Sequence, residues 1–519
     1  MTEITELYGF PIEPAQHEGG TVVWGLRTGL NASALLVYGT YPRQTFEPLT
    51  EQHPETFEPM PLLAESWEIN DDGTVWTFTL RDGVTFHDGE VMDSEDVAAT
   101  ITLIAATGNG RESVDTATVT TPDPLTVVLT YEATTVGVDT DLRDYGVKAA
   151  HVLAQIIDLS GDLDAAFLEA HPANTGEDVS LVIGTGPFRY IELVADEFER
   201  LTRYDGYWRG RPHLDELVFF RVASADLYPA LLASGEIDIA GAGVFSSVDP
   251  SQIDQFDPTV AEVIEYAGTA FHVFKMNQWP DRPLFQDVRV RQALLYAIDR
   301  EALVQAALFG YGEVAHATSA YTFAYDPDGI TARYPYDPEQ AAALLDEAGF
   351  VLGDDGVRAN GDLRLEFTTW FTAGNTVQET AATILQEYWR EIGVVTDVQS
   401  EDISALGPRV FETFDYDMAV WNFGSLVDQR IFYACSAEWT GYCNEELDAL
   451  MNAAASEIDP TARIELQTQV FNLIMETLPV GPLYFLNGLS AVSNRVHNVY
   501  PNGQLYNYGF NAFTWWVDA

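Results

Sequence analysis

The stretch Leu63-Ala64-Glu65-Ser66-Trp67-Glu68-Ile69-Asn70-Asp71-Asp72-Gly73-Thr74-Val75-Trp76-Thr77-Phe78-Thr79-Leu80 carries the plainest structural pattern in the chain. Ser66 to Asn70 reads as one strand, and Asp71-Asp72-Gly73 as the turn that reverses it. Val75 to Leu80 alternates, with Trp76, Phe78 and Leu80 on one face, as expected of a half-buried strand. Asp82-Gly83 and Asp88-Gly89 add two further turns. Asp93 is then placed to cap a helix that carries Val97, Ala98 and Ile101. Residues 62–92 are therefore a β region.

Outward from it the pattern changes to mixed α/β. Upstream, residues 1–18 are polar, contain Pro11 and Pro14, and read as a linker. Gly19-Gly20 leads into a short strand at Thr21-Val22-Val23-Trp24. Downstream, Leu217 to Val222 is strand-like. Asp226 to Ser234 is a short helix that Gly235 ends, and Ile237-Asp238-Ile239 is a short strand. Phe271 to Met276 begins another. Asp287 caps Val288 to Ile298, and Asp299 caps Arg300 to Phe309, which Gly310 stops. Asp337-Pro338 is an N-cap followed by proline, with Gln340 at N3 and Gly349 at the far end. Strand Leu363 to Thr369, a loop at Ala373-Gly374-Asn375, helix Thr376 to Ile392 and strand Val394 to Val398 form a βαβ-like unit. Two α/β regions thus surround one β-rich insertion.

Composition narrows the function. The 519 residues include 80 acidic and 25 basic side chains, a formal net charge of −55, and Lys148 and Lys275 are the only lysines. Such a field repels phosphate backbones and anionic lipid, so nucleic-acid binding and direct membrane adsorption are excluded. The acids are spread along the chain. That suits a surface solvated in high salt, which points to a halophilic source, with a merely acidic secreted protein as the alternative. No apolar run approaches the roughly 18–20 residues that span a bilayer, and Met1 to Phe10 shows no signal-peptide pattern. Cys435 and Cys443 are the only cysteines. They read as a disulfide closing one loop, with two buried thiols as the alternative, and they cannot make a zinc site.

The search for reaction chemistry finds little. There is no nucleophile elbow, His-Glu-x-x-His or phosphate-binding loop, and the nine histidines are scattered. Neither a catalytic residue, a metal nor a cofactor is expected. Gly184-Thr185-Gly186-Pro187-Phe188 reads as a turn, since Pro187 removes an amide donor. The aromatic residues Trp24, Trp370, Phe371, Trp421, Phe423 and Trp439 lie at strand ends or in loops, where rings stack on solutes or simply pack.

Several segments in order resemble the family 5 extracellular solute-binding proteins, which include dipeptide- and oligopeptide-binding components of ABC importers. They are the 63–97 region with Arg81-Asp82-Gly83-Val84-Thr85-Phe86-His87-Asp88-Gly89, Gly184 to Phe188, Tyr204-Asp205-Gly206-Tyr207-Trp208-Arg209-Gly210, Gly235-Glu236-Ile237-Asp238, Asp287 to Leu294 with Ala297-Ile298-Asp299-Arg300, and Asp337 to Gly349. The resemblance implies an α/β, two-lobed periplasmic-binding-protein-like fold (class II type) with a β-rich subdomain inserted in lobe one. Residues 1–18 would be a tether. Residues 19–268 and 487–519 would form lobe I, with the insertion at about 41–183, and 269–486 would form lobe II. It further implies solute capture by hinge closure without catalysis, delivery to permease subunits, a monomer, and an extracytoplasmic location through a removed signal or lipid anchor.

In peptide-binding members an Asp shortly after a Trp pairs with the peptide's α-ammonium. Here Trp421 matches, but Gly424 stands where that Asp would be, with Asp428 a possible substitute. The expected solute is a peptide or peptide-like molecule. An oligosaccharide or another polar solute is the alternative, and a hydrolase or a signalling receptor are more remote ones. Because solutes sit beyond the carboxyl ends of strands in open α/β sheets, the expected contacts are Trp24, Arg27, Asn31, Trp370, Asn375, Trp421, Gly424 and Asp428.

Overall fold

A computed structural model describes residues 8–27, 42–107, 111–156, 171–175, 177–194, 196–242, 247–437, 439–502 and 509–518. The chain divides into two compact units. Unit 1 comprises Met1–Gly268 and Gly488–Ala519, and unit 2 comprises Thr269–Asn487.

Unit 1 is built on a seven-stranded sheet in the order Ala261–Tyr266, Gly488–Ser493, Ile239–Ala240, Thr21–Leu26, Glu216–Arg221, Phe198–Arg203, Phe188–Val194. Thr21–Leu26 runs parallel to both of its neighbours. Its Val22, Trp24 and Leu26 share one buried face with Leu201, Leu217 and Phe219. The β region at 62–92 joins a separate four-stranded antiparallel sheet, Ala64–Ile69, Val75–Leu80, Thr126–Thr130, Thr118–Asp123. Trp76, Phe78 and Leu80 face inward, as their alternation requires, and meet Val97, Ile101 and Ile104 of helix Ser94–Thr107. Asp93 caps that helix by accepting from the Glu95 amide, while Asp96 accepts from the Asp93 amide, a reciprocal box.

The sequence motifs of unit 1 meet in one seam. His87 donates its backbone N–H to the Gly184 carbonyl, accepts from the Gly184 N–H at Nδ1 and reaches the Gly186 carbonyl at 3.0 Å through Nε2. That pattern fixes the Nε2–H tautomer, and burial pushes its pKa down to about 4. Gly184 and Gly186 pack on backbone: an added Cβ would lie 2.0 Å from the Thr45 carbonyl oxygen and 2.4 Å from that of Gln44. Between these segments Glu47 is buried and accepts from Thr185 Oγ1, Tyr207 OH and Trp208 Nε1 at 2.8–3.0 Å. The turn and the Tyr-Trp motif are thus shaped to each other.

The structure corrects the reading of residues 8–18 as a linker. Tyr8 is 1% exposed and donates to Glu51, which also pairs with Arg209. Phe10 stacks on Tyr500, Asn498 bonds both the amide and the carbonyl of Glu13, and Glu18 pairs with Arg211 and His213. Several of their partners lie far away in sequence, 485 residues for Glu13 and Asn498, so local composition could not show them.

Unit 2 holds a six-stranded sheet in the order Gly312–Val314, Val480–Leu486, Ala270–Met276, Met418–Gly424, Glu366–Thr372, Val395–Glu401. Glu366–Thr372 is parallel to both Val395–Glu401 and Met418–Gly424. Helices Val288–Tyr296, Arg300–Leu308, Pro338–Glu347 and Thr376–Glu391 start at the side-chain caps Asp287, Asp299, Asp337 and Asn375. The second ends one residue earlier than its sequence suggests, because Phe309 itself takes the left-handed conformation (φ 55°). The strand expected from Leu363 is interrupted at Leu365, giving Leu363–Arg364 and Glu366–Thr372. The motif arginines are structural: Arg291 donates to the carbonyls of Phe285, Gln286 and Thr477, and Arg300 to those of Ala315, Pro482, Arg333 and Tyr334.

Candidate functional site

The carboxyl ends of Glu366–Thr372 and Met418–Gly424 lie side by side in unit 2, because the two strands are parallel. Strand alternation sends successive side chains to opposite faces. Met418, Val420, Phe367 and Phe371 go to the helix-covered core. Ala419, Trp421 and Trp370 go to the other face, where Leu406, Val410 and Phe411 of helix Ile403–Phe411 pack on them.

That second face is an aromatic layer. Phe411 meets Trp421 edge-on at 5.1 Å, and Phe423 lies 4.4 Å from Trp439 and 5.5 Å from Phe432. Phe432 is 4.7 Å from Trp439, and Phe411 stacks on Trp439 at 6.0 Å. Trp439 belongs to a loop closed by the Cys435–Cys443 disulfide. Gly441 of this loop has φ +75°, and a Cβ there would lie 2.4 Å from the Trp279 amide nitrogen. Beneath the layer Lys275 is fully buried. Its Nζ donates to Tyr416 OH and to the carbonyls of Trp439 (2.8 Å) and Val410 (3.3 Å). Burial holds its pKa well below the ordinary lysine value.

On the core side a polar row crosses the sheet. Gln378 donates to Asn422 at 3.2 Å, and His272, cross-strand from Asn422, bonds Tyr484 OH at 3.0 Å. Burial keeps His272 neutral, with its pKa pushed down to about 3.

The eight expected contacts fare differently. Trp421 is half-buried in the aromatic layer, and Gly424 ends its strand exposed, with open space where a Cβ would stand. Trp370 is half-buried, but the Arg409 guanidinium covers its ring at 4.6 Å, and Arg409 is itself held by Glu401. Asn375 spends its side-chain oxygen capping helix Thr376–Glu391. Asp428 grips Arg430 with both carboxylate oxygens, at 2.6–3.1 Å. In unit 1, Arg27 directly follows strand Thr21–Leu26 and is half-buried, while Asn31 lies outside the described residues. Trp24 is a correction. It is 3% exposed, its Nε1 donates to the Gly241 carbonyl at 2.8 Å, and its ring lies 5.5 Å from Trp515 and 5.7 Å from Phe219. The ring is core, as its shared face with Val22 and Leu26 requires.

Sequence reasoning missed Lys275, Phe411 and Tyr416. A lysine inside the apolar run Phe271–Met276, in a chain with only two, was the available signal. Among the described residues no cluster of His, Cys, Asp and Glu could hold a metal ion, and no helix is long and apolar enough to cross a membrane.

Residues 58–436 match the family model of bacterial extracellular solute-binding proteins, family 5 middle region. The chain is 27% identical to the oligopeptide-binding protein AppA of Bacillus subtilis over 88% of this chain and 83% of that protein. It is also 27% identical to heme-binding protein A of Haemophilus influenzae, over 92% and 88%. The structure of B. subtilis AppA with a nonapeptide superposes with a TM-score of 0.74 at 24% identity, covering 97% of this chain and all of that one. That of NikZ from Campylobacter jejuni with Ni(L-His) gives 0.77 at 21%, covering 95% and 99%. These likenesses show the periplasmic-binding-protein fold. With the family model matched over most of its length, the chain belongs to the family 5 extracellular solute-binding proteins, the non-enzymatic solute-binding components of ABC transporters.

Proposed function

We propose that this protein captures a peptide or peptide-like solute for an ABC importer, and that unit 2 holds an uncharged part of it and not a free α-ammonium. The observation that carries this is the state of the two candidate partners for an ammonium. Gly424 has no side chain, and the Asp428 carboxylate is already committed to Arg430. A desolvated ammonium needs a carboxylate of its own, and a carboxylate already gripped by a guanidinium offers little net attraction. What remains at these strand ends is Trp421, the aromatic edge around it and backbone amides, which suit a neutral chain. Arg27 is the matching candidate in unit 1 for a solute carboxylate. The peptide class is supported by the resemblance to AppA over most of the chain. Relatives named for heme and for Ni(L-His) show that the family's solutes are diverse.

The aromatic layer also favours a second reading, an oligosaccharide stacked on Trp421. The disulfide fits the oxidising, extracytoplasmic setting of the family.

The test is a thermal-shift screen with one peptide series in free-amino and N-acetylated forms beside neutral oligosaccharides. N-acetylated peptides should bind at least as tightly as their free-amino counterparts. Gly424→Asp, which the open space admits, should reverse that order. A free-amino preference in the wild type sinks the proposal, and shifts with sugars alone establish the second reading.

A further inference from the structure

Lys275 has no place in the chemistry described above, yet three features of the aromatic layer converge on it. Its ammonium faces three rings, lying 4.5 Å from the centroid of Tyr416, 4.9 Å from Phe411 and 5.3 Å from Trp439. Its three hydrogen bonds end on three separate elements. These are the last turn of helix Ile403–Phe411 through the Val410 carbonyl, the approach to strand Met418–Gly424 through Tyr416 OH, and the disulfide loop through the Trp439 carbonyl. Lys275 is the penultimate residue of strand Ala270–Met276, where every residue is buried, and all three of its hydrogen-bond partners are neutral oxygens. A methionine would fill this space without the cost of desolvating an ammonium. The ammonium therefore has to return something that packing alone does not. Only a cation satisfies a ring cage and three acceptors at once.

The loop it holds is tied near its ends, where the Asp448 carboxylate accepts from the Cys435 amide and Tyr442 OH donates to Thr477 Oγ1 at 2.8 Å. The Thr440 carbonyl accepts from the Gln278 amide, and Gly441 lies on the Trp279 backbone, but the Trp439 carbonyl has Lys275 as its donor. Trp439 is the ring that Phe411, Phe423, Phe432 and Tyr433 all touch.

We propose that Lys275 is a positioning residue for solute capture: its ammonium, caged by Phe411, Tyr416 and Trp439, fixes the Cys435–Cys443 loop so that Trp439 completes the aromatic wall of unit 2. The functional half of this rests on the reading that solute lies against that layer.

The test uses the full chain with Lys275→Met, which preserves bulk, and Lys275→Ala, which leaves a hole the size of propylammonium. Two quantities are measured: the rate at which a phosphine reduces the disulfide in the native protein, and the retention of peptides from a tryptic digest of casein, before and after N-acetylation, read by mass spectrometry. In Lys275→Met reduction should accelerate at least about tenfold, as expected for loss of charge-assisted hydrogen bonds, and retained peptides should weaken by a similar factor. In Lys275→Ala, millimolar propylammonium should slow reduction back toward the wild-type rate. Isosteric propanol should not, because it fills the hole without a charge. A purely space-filling lysine predicts the opposite, with Lys275→Met resembling wild type and propanol rescuing as well as the amine. An unchanged reduction rate in Lys275→Met overturns the clamp, and accelerated reduction with unchanged peptide retention overturns its role in capture. Wild-type protein that retains no peptide sinks the peptide reading instead, while reduction and rescue still decide the clamp.

Discussion

Replacing Glu199 by glutamine should stabilise the protein at alkaline pH and leave it nearly unchanged at acid pH. Glu199 stands in strand Phe198–Arg203, opposite Phe219 and Leu193, and is fully buried. One carboxylate oxygen accepts from Tyr190 OH at 2.7 Å, and the other has no hydrogen-bond partner among the described residues. Burial raises its pKa from the ordinary 4.5 to about 7. Below about 4.5 both the folded and unfolded states hold the proton. Between about 4.5 and 7 only the folded state does, so stability falls as pH rises through this window. Above about 7 the folded state carries a desolvated charge, and the loss is complete. At about 1.4 kcal/mol per pKa unit, the shift corresponds to about 3 kcal/mol. No screening discount applies, because the group is out of solvent.

A glutamine mimics the protonated acid. It keeps the acceptor for Tyr190 and puts an amide where the proton would be. Urea unfolding of wild type and Glu199→Gln at pH 5 and pH 8.5, at one fixed salt concentration, isolates the effect, since the many surface carboxylates are common to both proteins and cancel in the difference. The variant should gain about 2–3 kcal/mol at pH 8.5 and less than about 1 kcal/mol at pH 5. An equal change at both pH values, or no gain at pH 8.5, refutes a buried and near-orphaned carboxylate at this position.

Lys148 gives the opposite sign. Buried under the Phe46 ring, with one carbonyl partner at Gly146, it has its pKa lowered to about 8. The cost of the buried ammonium is therefore complete below about 8 and disappears as pH approaches 10.5. Lys148→Met should raise the free energy of urea unfolding by about 3 kcal/mol at pH 7, and not at pH 10.5. Gly441→Ala should destabilise unit 2 by about 2–4 kcal/mol, since its Cβ meets the Trp279 backbone and its φ is positive; wild-type melting would refute that packing. With a formal charge of −55, the melting temperature should rise by roughly 10 °C or more between low and molar salt as screening relieves self-repulsion. A flat response removes the halophilic interpretation of the composition.

The fold was legible because the residues that resemble the family are the ones that shape backbone. His87 bonds Gly184 and Gly186; Thr185, Tyr207 and Trp208 share Glu47 as acceptor; and Asp287, Asp299 and Asp337 cap helices. Such demands admit few alternative residues, so they show as motifs. The site was less legible, because a ring at a strand end reads the same whether it faces solute or core. Trp24 could have been placed by its period-two register with Val22 and Leu26, and the commitment of Asp428 by its neighbour Arg430 two residues on. No local pattern could have announced that Tyr8 docks beside Glu51 and Arg209, or that the Arg409 guanidinium lies over Trp370.

The charge imbalance and the candidate site belong to one physical arrangement. Cations are scarce in this chain, and several are spent inside. Arg291, Arg300, Lys148 and Lys275 are all at most 8% exposed, each donates to backbone carbonyls, and among the described residues none is ion-paired to a carboxylate. Near the strand ends of unit 2, Arg409 and Arg430 are paired to Glu401 and Asp428. A solute reaching these ends therefore meets rings and amides, with the nearby guanidiniums already neutralised. Burying these cations while leaving most of the acids in solvent would surround the candidate surface of unit 2 with negative field but keep that surface itself nearly uncharged. Affinity for a neutral solute should then vary little with ionic strength, even where stability varies strongly, because the salt-sensitive charges and the solute-binding groups are different atoms.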